Sequence, residues 1–385
     1  MIARKKIQDI VRKYDKKNIH VGMTASHSAL DICDGAAEEG IPTLAVCQKG
    51  RDRAYSRYFR AERDETGYLL RGMVDEVLML NKFNDILTEA SQEKLRKKNV
   101  LFVPNRSFTS YSDIEEIEDE FRVPILGSRN LLASEDRGGE HDYYWMLEKA
   151  GLPFPERIRD PEDIDCLCIV KLAHKVKKLE RGFFTAASHE EYLKKSKQLL
   201  KHNVITRGDL AVARIEKYII GPVFNLDFFH SPIEPKMSKL ELIGIDWRFE
   251  TSLDGHCRLP APQQMSLTGA QETPEYTVCG HNSATLRESL LDKAFEMGEN
   301  YVEACAEHYS PGIIGPFCLQ TCVDKDLKFF IYDVAPRIGG GTNVHMAVGH
   351  PYGNALWRTN MSTGRRIALE IRRALQMDKL AEIVT

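Results

Sequence analysis

Near the carboxyl end of the chain, an amide and a carboxylate fall at a spacing that suits a bound cation. Gly315-Pro-Phe-Cys-Leu-Gln320-Thr-Cys-Val323 reads as a strand, Asp324-Lys-Asp326 as its turn, and Leu327 to Ala335 as the returning strand with Asp333 inside it. With Lys325-Asp326 at the turn, Gln320 faces Ile331 and Asp333 faces Cys318, which sets Gln320 and Asp333 diagonally on one face. Sliding the turn makes them direct partners, still on one face. An aspartate within Phe-Ile-Tyr-Asp-Val-Ala is out of place in an otherwise apolar strand. Carboxylate and amide oxygens suit Mg²⁺, which shares its ligand oxygens with phosphates, and Mn²⁺ takes similar donors. Immediately after comes Pro336-Arg337-Ile-Gly339-Gly340-Gly341-Thr342-Asn343. Its glycines let the backbone pass close to a ligand, and Arg337 can pair a phosphate or carboxylate in fork geometry.

A second set of polar groups lies in the first third. Thr24-Ala-Ser-His27-Ser28, Gln48-Lys-Gly-Arg51-Asp52-Arg53 and Asn105-Arg106-Ser107-Phe108 each follow an apolar segment that reads as a strand. In an open parallel sheet, ligands bind beyond the carboxyl ends of the strands. The first loop would bring free N–H groups to a helix N-terminus, a favourable place for phosphate. An N-cap at Ser28 and surface arginines explain any one loop; three converging loops make an anionic small-molecule site an equal reading. None has the spacing G-x-G-x-x-G or G-x-x-x-x-G-K-[ST], so neither a dinucleotide fingerprint nor a Walker-type phosphate loop is expected.

The elements that must position these groups alternate in the first third. A helix over residues 3–15, a strand from Asn18 to Thr24 and a helix from Ser28 to Glu39 ended by Gly40 come first. Strands at Thr43–Cys47 and near Val77–Leu80, a helix over Asp85–Lys97, and strands at Val100–Val103 and Val123–Leu126 follow. That alternation predicts a parallel sheet with helices on its faces. Residues 128–165 form a joint containing a helix from about Asp142 to Lys149. Beyond it the pattern is α+β: a strand Cys166–Lys171 with Phe183–Ala186 as hairpin partner, a helix His189–His202, and strands Ala213–Ile220, Phe224–His230 and Leu240–Trp247. A long helix Glu288–His308, the hairpin, and a closing helix Met361–Leu375 complete it, with Arg365, Arg366, Arg372 and Arg373 on the closing helix's polar side.

The 385 residues exceed one hydrophobic core, so two or three domains are expected. Hydrophobic residues at 43% and charged residues at 28% are ordinary for a globular chain and exclude a disordered one. The near balance of 53 Lys+Arg against 56 Asp+Glu argues against a dedicated nucleic-acid binder. No apolar run approaches the roughly 20 residues that span a bilayer, and the N-terminus lacks a signal-peptide core. Nine scattered cysteines without a C-x-x-C pair read as small buried hydrophobes in a reducing cytoplasm rather than a zinc site.

A strand lysine (Lys171), the hinge Arg214-Ile-Glu216-Lys-Tyr218-Ile-Ile-Gly221, and the acid-x-x-x-Arg element from Asp333 to Arg337 follow the order of the ATP-grasp ligases. More narrowly, the chain resembles the archaeal formate-dependent 5-formaminoimidazole-4-carboxamide ribonucleotide synthetases of purine (IMP) biosynthesis. The matching strings are Ser26-His27, Lys49-Gly-Arg-Asp52, Ser107-Phe108, Glu216-Lys-Tyr218, Asp246-Trp-Arg-Phe-Glu250, Leu253-Asp-Gly255, Arg287-Glu-Ser-Leu-Leu291, Ile314-Gly-Pro-Phe-Cys-Leu-Gln320 and Gly340-Gly-Thr-Asn343. They run in order over nearly the whole chain.

The resemblance implies an α/β and α+β protein, an ATP-grasp fold preceded by a Rossmann-like parallel-sheet domain. The implied domains are 1–128 and 129–385, the latter with subdomains of about 150–218 and about 219–385. In that family ATP phosphorylates formate, and the amine of 5-aminoimidazole-4-carboxamide ribonucleotide attacks the formyl phosphate. Carried over by position, His27, Arg51, Ser107 and His281 would contact the ribonucleotide, and Lys171, Glu216, Tyr218 and Glu250 would contact ATP, with Glu216 facing the adenine. Arg337, Thr342 and Asn343 would serve the phosphates and the chemistry, and Gln320 with Asp333 would hold Mg²⁺ or Mn²⁺. A cytoplasmic homo-oligomer is implied, with small-molecule substrates and neither nucleic acid nor membrane as partner.

Four features depart from the family pattern. Leu172 to Gly182 is basic and has a single glycine where the family has a glycine-rich cover. Trp145 stands where the family has a second nucleotide-contacting lysine, His281 where it has an asparagine, and Asp333 where it has a glutamate. They leave two alternatives beside the ligase: a paralogue joining a different acid or amine, and a purine-ribonucleotide-binding relative without turnover.

Overall fold

The computed structural model describes residues 1–135, 137, 139–172, 183–235, 239–268 and 277–385. The alternating first third forms a four-stranded parallel sheet in the order Glu76–Leu80, Thr43–Gln48, His20–Thr24, Val100–Val103. Its central strands are buried on both faces, which is why they read as continuous apolar runs. One face packs on helix Ala29–Glu38, the other on Phe108, Ile117 and Phe121. The expected strand Val123–Leu126 is reduced to isolated bridges, Ile125 to Phe102 and Leu126 to Val384. Pro124 has no N–H to donate, so no ladder grows there. The first helix is also shorter than its periodicity predicts, ending at Val11.

Two antiparallel sheets follow. The smaller has the order Arg157–Ile158, Arg214–Lys217, Cys168–Lys171, Phe183–Ala186, so the lysine strand lies between the hinge strand and its expected hairpin partner. The strand expected over Ala213–Ile220 is confined to Arg214–Lys217. The larger has the order Val278–Ser283, Leu240–Glu250, Val223–His230, Gly315–Val323, Phe329–Ala335. Its apolar face buries Phe228 and Phe317 against Tyr301 of helix Leu291–His308, the Phe317 ring centroid lying 5.2 Å from that of Phe228 and 5.4 Å from that of Tyr301. Each fully buried aromatic of this kind contributes roughly 1.5–3 kcal/mol.

At the site the hairpin takes the slid register considered from sequence, with Gln320 opposite Asp333, and it departs from that register only toward the turn. The turn spans Asp324 to Lys328, with Leu327 at φ 58° and the Asp324 carboxylate accepting from the N–H groups of Asp326 and Lys328. Thr321 pairs with Ile331 but Gln320 pairs with Asp333, so Tyr332 is the extra residue of a bulge. The bulge makes Gln320 and Asp333 direct partners.

The closing helix, Thr363–Gln376, is capped by Ser362 and packs on helix Ala29–Glu38 through Ile367, Ile371 and Ala374. The two helices approach so closely that a Cβ on Gly35 or Gly364 would fall about 2 Å from the other's backbone. Arg366 is a correction to the polar-side expectation: it is fully buried, paired with Glu241 and Glu370. Helical periodicity gives Arg366 the outer face, but the strand Leu240–Glu250 covers that face. The basic stretch singled out after the strand lysine lies, from Ala173 to Gly182, outside the described residues.

Candidate active site

A partly open cavity of about 770 Å³ lies where the amino-terminal loops, the smaller antiparallel sheet and one face of the larger sheet meet. On its floor, Gln320 and Asp333 stand side by side as cross-strand partners. Two guanidiniums already lie against this pair. Arg248 donates to Gln320, to Asn225 (3.3 Å) and to the Tyr332 hydroxyl (3.0 Å), and Arg137 is 4.0 Å from Asp333. An amide oxygen beside a carboxylate, in a place that attracts cations, fits a hard divalent ion that keeps some of its waters.

Lys171 reaches the cavity wall from the middle of the small sheet. Its ammonium donates to the Tyr144 hydroxyl (2.8 Å) and the Tyr332 carbonyl (3.0 Å) and pairs with Glu216 at 2.7 Å. Glu216 is also paired with Arg214. Burial would raise the Glu216 carboxyl, but Lys171 and Arg214 hold it below its ordinary range. Burial lowers Lys171. The Glu216 carboxylate is thus engaged by its own sheet, turned to the strand lysine.

The amino-terminal loops meet the glycine segment here. Asn105 donates to the carbonyls of Thr24 and Ser26 at 2.7 and 3.0 Å, tying two of the three expected loops together. Ser28 does not cap its helix; its hydroxyl donates to the Gly339 carbonyl, and Asn343 accepts from the Asp31 N–H at 3.0 Å. Asn343 also donates to the His27 carbonyl (2.8 Å), so the helix end expected to receive a phosphate is partly occupied by a side chain. Burial, then Arg337, Arg106, His281 and Arg51, push the His27 imidazole down to about 4. It is therefore neutral at pH 7 and ringed by positive charge.

Arg337 is itself oriented by Glu135, which accepts from its Nε and Nη2 and from Arg106 at 2.9 Å, while Nη1 donates to the Ile338 carbonyl at 2.7 Å. Beneath the glycines lie two buried carboxylates, Asp227 and Asp246. A Cβ on Gly339 would stand 2.2 Å from an Asp227 oxygen and one on Gly341 2.1 Å from an Asp246 oxygen, so the segment can rest there only as glycine. Burial and the neighbouring Asp246 push Asp227 far up, and burial also raises Asp246. Two adjacent desolvated carboxylates each disfavour the other's ionisation.

Of the residues singled out from sequence, His27, Lys171, Glu216, Tyr218, Glu250, His281, Gln320, Asp333, Arg337 and Asn343 line this one cavity. Three do not. Arg51 lies over the rings of Phe83 and Tyr111, its carbon 5.6 and 5.3 Å from their centroids. Ser107 is fully buried in helix Arg106–Tyr111, and Thr342 is buried under the glycine segment. Trp145, in the helix of the joint, packs on His141 and His308 away from the cavity. Sequence reasoning missed Glu135, Arg137, Asn225, Arg248 and Tyr332. Arg248 alone carried a signal: Asp246, Arg248 and Glu250 alternate along one strand and so share a face.

Comparison with known proteins agrees with this geometry. A family model described as a domain of unknown function (DUF1297) matches residues 191–385, and one described as a protein of unknown function (DUF1246) matches residues 21–158. The 5-formaminoimidazole-4-carboxamide-1-(beta)-D-ribofuranosyl 5'-monophosphate synthetase of Methanothermobacter thermautotrophicus is 37% identical over 385 residues, covering 100% of this chain and 99% of that protein. The chain belongs to this synthetase family. The crystal structure of an IMP biosynthesis protein, PurP, from Thermococcus kodakaraensis superposes on this synthetase-family chain with a TM-score of 0.69 and 29% identity. That match covers 95% of this chain and 100% of the other. An ADP complex of N5-carboxyaminoimidazole ribonucleotide synthetase, at 12% identity and TM-score 0.56 over 89% of this chain and 77% of that one, shares the fold. The expected ATP-grasp architecture is the one observed.

Proposed function

We propose that this chain is an ATP-dependent ligase that joins formate to the amine of 5-aminoimidazole-4-carboxamide ribonucleotide, giving the 5-formamido ribonucleotide, ADP and phosphate in IMP biosynthesis. The observation that carries the reading is the full-length kinship with synthetases of that product, in a chain whose Lys171, Glu250, Gln320, Asp333 and Arg337 face a single cavity with His27. Phosphoryl transfer asks a protein mainly for positioning and charge neutralisation. Lys171, fixed by Glu216, neutralises ATP phosphate oxygens, and Glu250 with Tyr218 and the strand Arg214–Lys217 receives the nucleoside. Gln320 and Asp333 would hold Mg²⁺ or Mn²⁺, which when bound supplies charge neutralisation for the phosphate oxygens.

Arg337, aimed by Glu135, meets the acyl phosphate formed from formate and the γ-phosphate of ATP. His27, which is neutral, and His281 receive the ribonucleotide. An acyl phosphate hydrolyses readily, so the reaction requires that water be kept from it during transfer. Free thiols at all nine cysteines fit a reducing cytoplasm, and the exposed Tyr68 and Leu70 suit contact between copies of the chain.

The test is to incubate the purified protein with ATP, Mg²⁺, formate and the ribonucleotide, measuring phosphate and formamido product. Equal yields that require all four components are expected. ATP cleavage that ignores formate, or no cleavage at all, overturns the reading.

A further inference from the structure

The ligase reading includes one proton transfer. When the amine attacks the formyl carbon, the C–N bond forms, the C–O bond to phosphate breaks, and phosphate departs with the electron pair. The proton that the nitrogen sheds ends on that departing phosphate, giving hydrogen phosphate. A basic side chain in the cavity wall can take the proton from the nitrogen and pass it on.

His281 is the group so placed. It lies on the edge strand Val278–Ser283 and lines the cavity. The ring is near enough to His27 to influence it electrostatically. Its Nε2 is 3.9 Å from Oδ1 of Asp246, and this side chain is about one-fifth exposed while Asp246 is fully buried. Asp246 is fixed in turn by Asn225, which donates to the same oxygen at 2.8 Å. The Gly341 backbone closes over both, since a Cβ there would strike the Asp246 carboxylate and stand 2.6 Å from the His281 ring. A histidine with one nitrogen toward a buried carboxylate and the rest of the ring toward a substrate cavity has the geometry of an oriented general base.

We propose that His281 accepts the proton of the attacking amine and that Asp246 positions it and balances the imidazolium charge. The proposal rests on the ligase reading. Behind Asp246 stands Asp227, a second buried acid whose carboxyl is pushed up by burial and by Asp246. Arg248 is its cross-strand neighbour, and His27, Arg337, Glu250, Asp254 and Asp333 line the same cavity. Asp246 is the carboxylate placed against the ring, so it is the counter-charge.

His281→Ala is the test, with free imidazole added back. Formamido product formation is expected to fall by about 100-fold or more, the usual contribution of a positioned base. Formate-dependent ATP cleavage should fall far less, and imidazole should restore product formation in proportion to its unprotonated fraction. Asp246→Asn should lower the transfer rate and displace its acid limb, a change that a merely structural role would not produce. Wild-type transfer rates in His281→Ala, or a loss that raises the KM for the ribonucleotide alone and ignores imidazole, overturn the proposal. If Asp246→Asn does not fold, the His281→Ala series still decides. A wild-type protein that cleaves no ATP with formate brings down the ligase reading, and this inference with it; cleavage with an unimpaired His281→Ala brings down this inference alone.

Discussion

Two buried clusters of arginine and glutamate have opposite stoichiometry. Beside the cavity, one carboxylate, Glu135, is held by two guanidiniums, Arg337 and Arg106. Between the closing helix and the five-stranded sheet, one guanidinium, Arg366, is held by two carboxylates, Glu241 and Glu370. The first cluster has surplus positive charge and opens onto the cavity. The second has surplus negative charge and is sealed by protein: Arg366 lies 4.1 Å from the centroid of Phe229 and 5.1 Å from that of Trp357, whose N–H donates to Glu241 at 2.7 Å. Ser231 donates to Glu370 at 2.7 Å. The carboxyls respond accordingly. Burial would raise Glu135, but Arg337 and Arg106 hold it down; burial raises Glu370, and Arg366 only partly offsets this. A buried cation in excess of its partners waits for an anion from outside, whereas a buried cation with partners to spare ties elements together.

Removing one arginine from each cluster should break the molecule in different ways. Arg337→Met takes away a cation that meets charge only as it develops, and turnover should fall by about 10³-fold or more. Its melting temperature should change little, because Arg106 still pairs Glu135. Arg366→Met leaves Glu241 and Glu370 buried without a cation, which should cost about 3–5 kcal/mol of stability. Turnover per folded molecule should be unchanged. Rates and urea midpoints on both variants check this; collapse of the fold in Arg337→Met would make the cavity cluster a second staple.

The same contrast marks how far the sequence could be read. The parallel sheet was legible because strands buried on both faces are apolar throughout, and Gln320 and Asp333 were legible because strand side chains alternate. Either register of the hairpin kept both on one face, though the observed pairing arises from the bulge at Tyr332, which no turn residue announces. Glu135 was not legible, since it ends a short 3-10 segment and its partner Arg337 is 202 residues away. Arg366 was misread because periodicity assigns a face to a helix without knowing what covers it. The turned-away Arg51 failed for a related reason: loop position fixes where a backbone goes, while Phe83 and Tyr111 decided where the guanidinium rests.

Acid offers the finest division between the clusters. Glu135 has a folded-state pKa below the ordinary 4.5, so its stabilisation is complete above that value and is lost as pH falls through the depressed one. Glu370 has a folded-state pKa above 4.5, so the native state takes up its proton before the unfolded chain does, and stability is gained as pH falls toward 4.5. Glu135→Gln and Glu370→Gln cancel these contributions one at a time. Relative to Glu370→Gln, the wild type should gain stability between neutrality and about pH 4.5; relative to Glu135→Gln, it should hold its advantage there and lose it only below. Urea midpoints measured in steps from pH 7 to pH 4 read both differences. Two curves that bend the same way would mean that the ratio of guanidiniums to carboxylates does not govern these sites, and the distinction between anion site and staple would have to rest on the cavity alone.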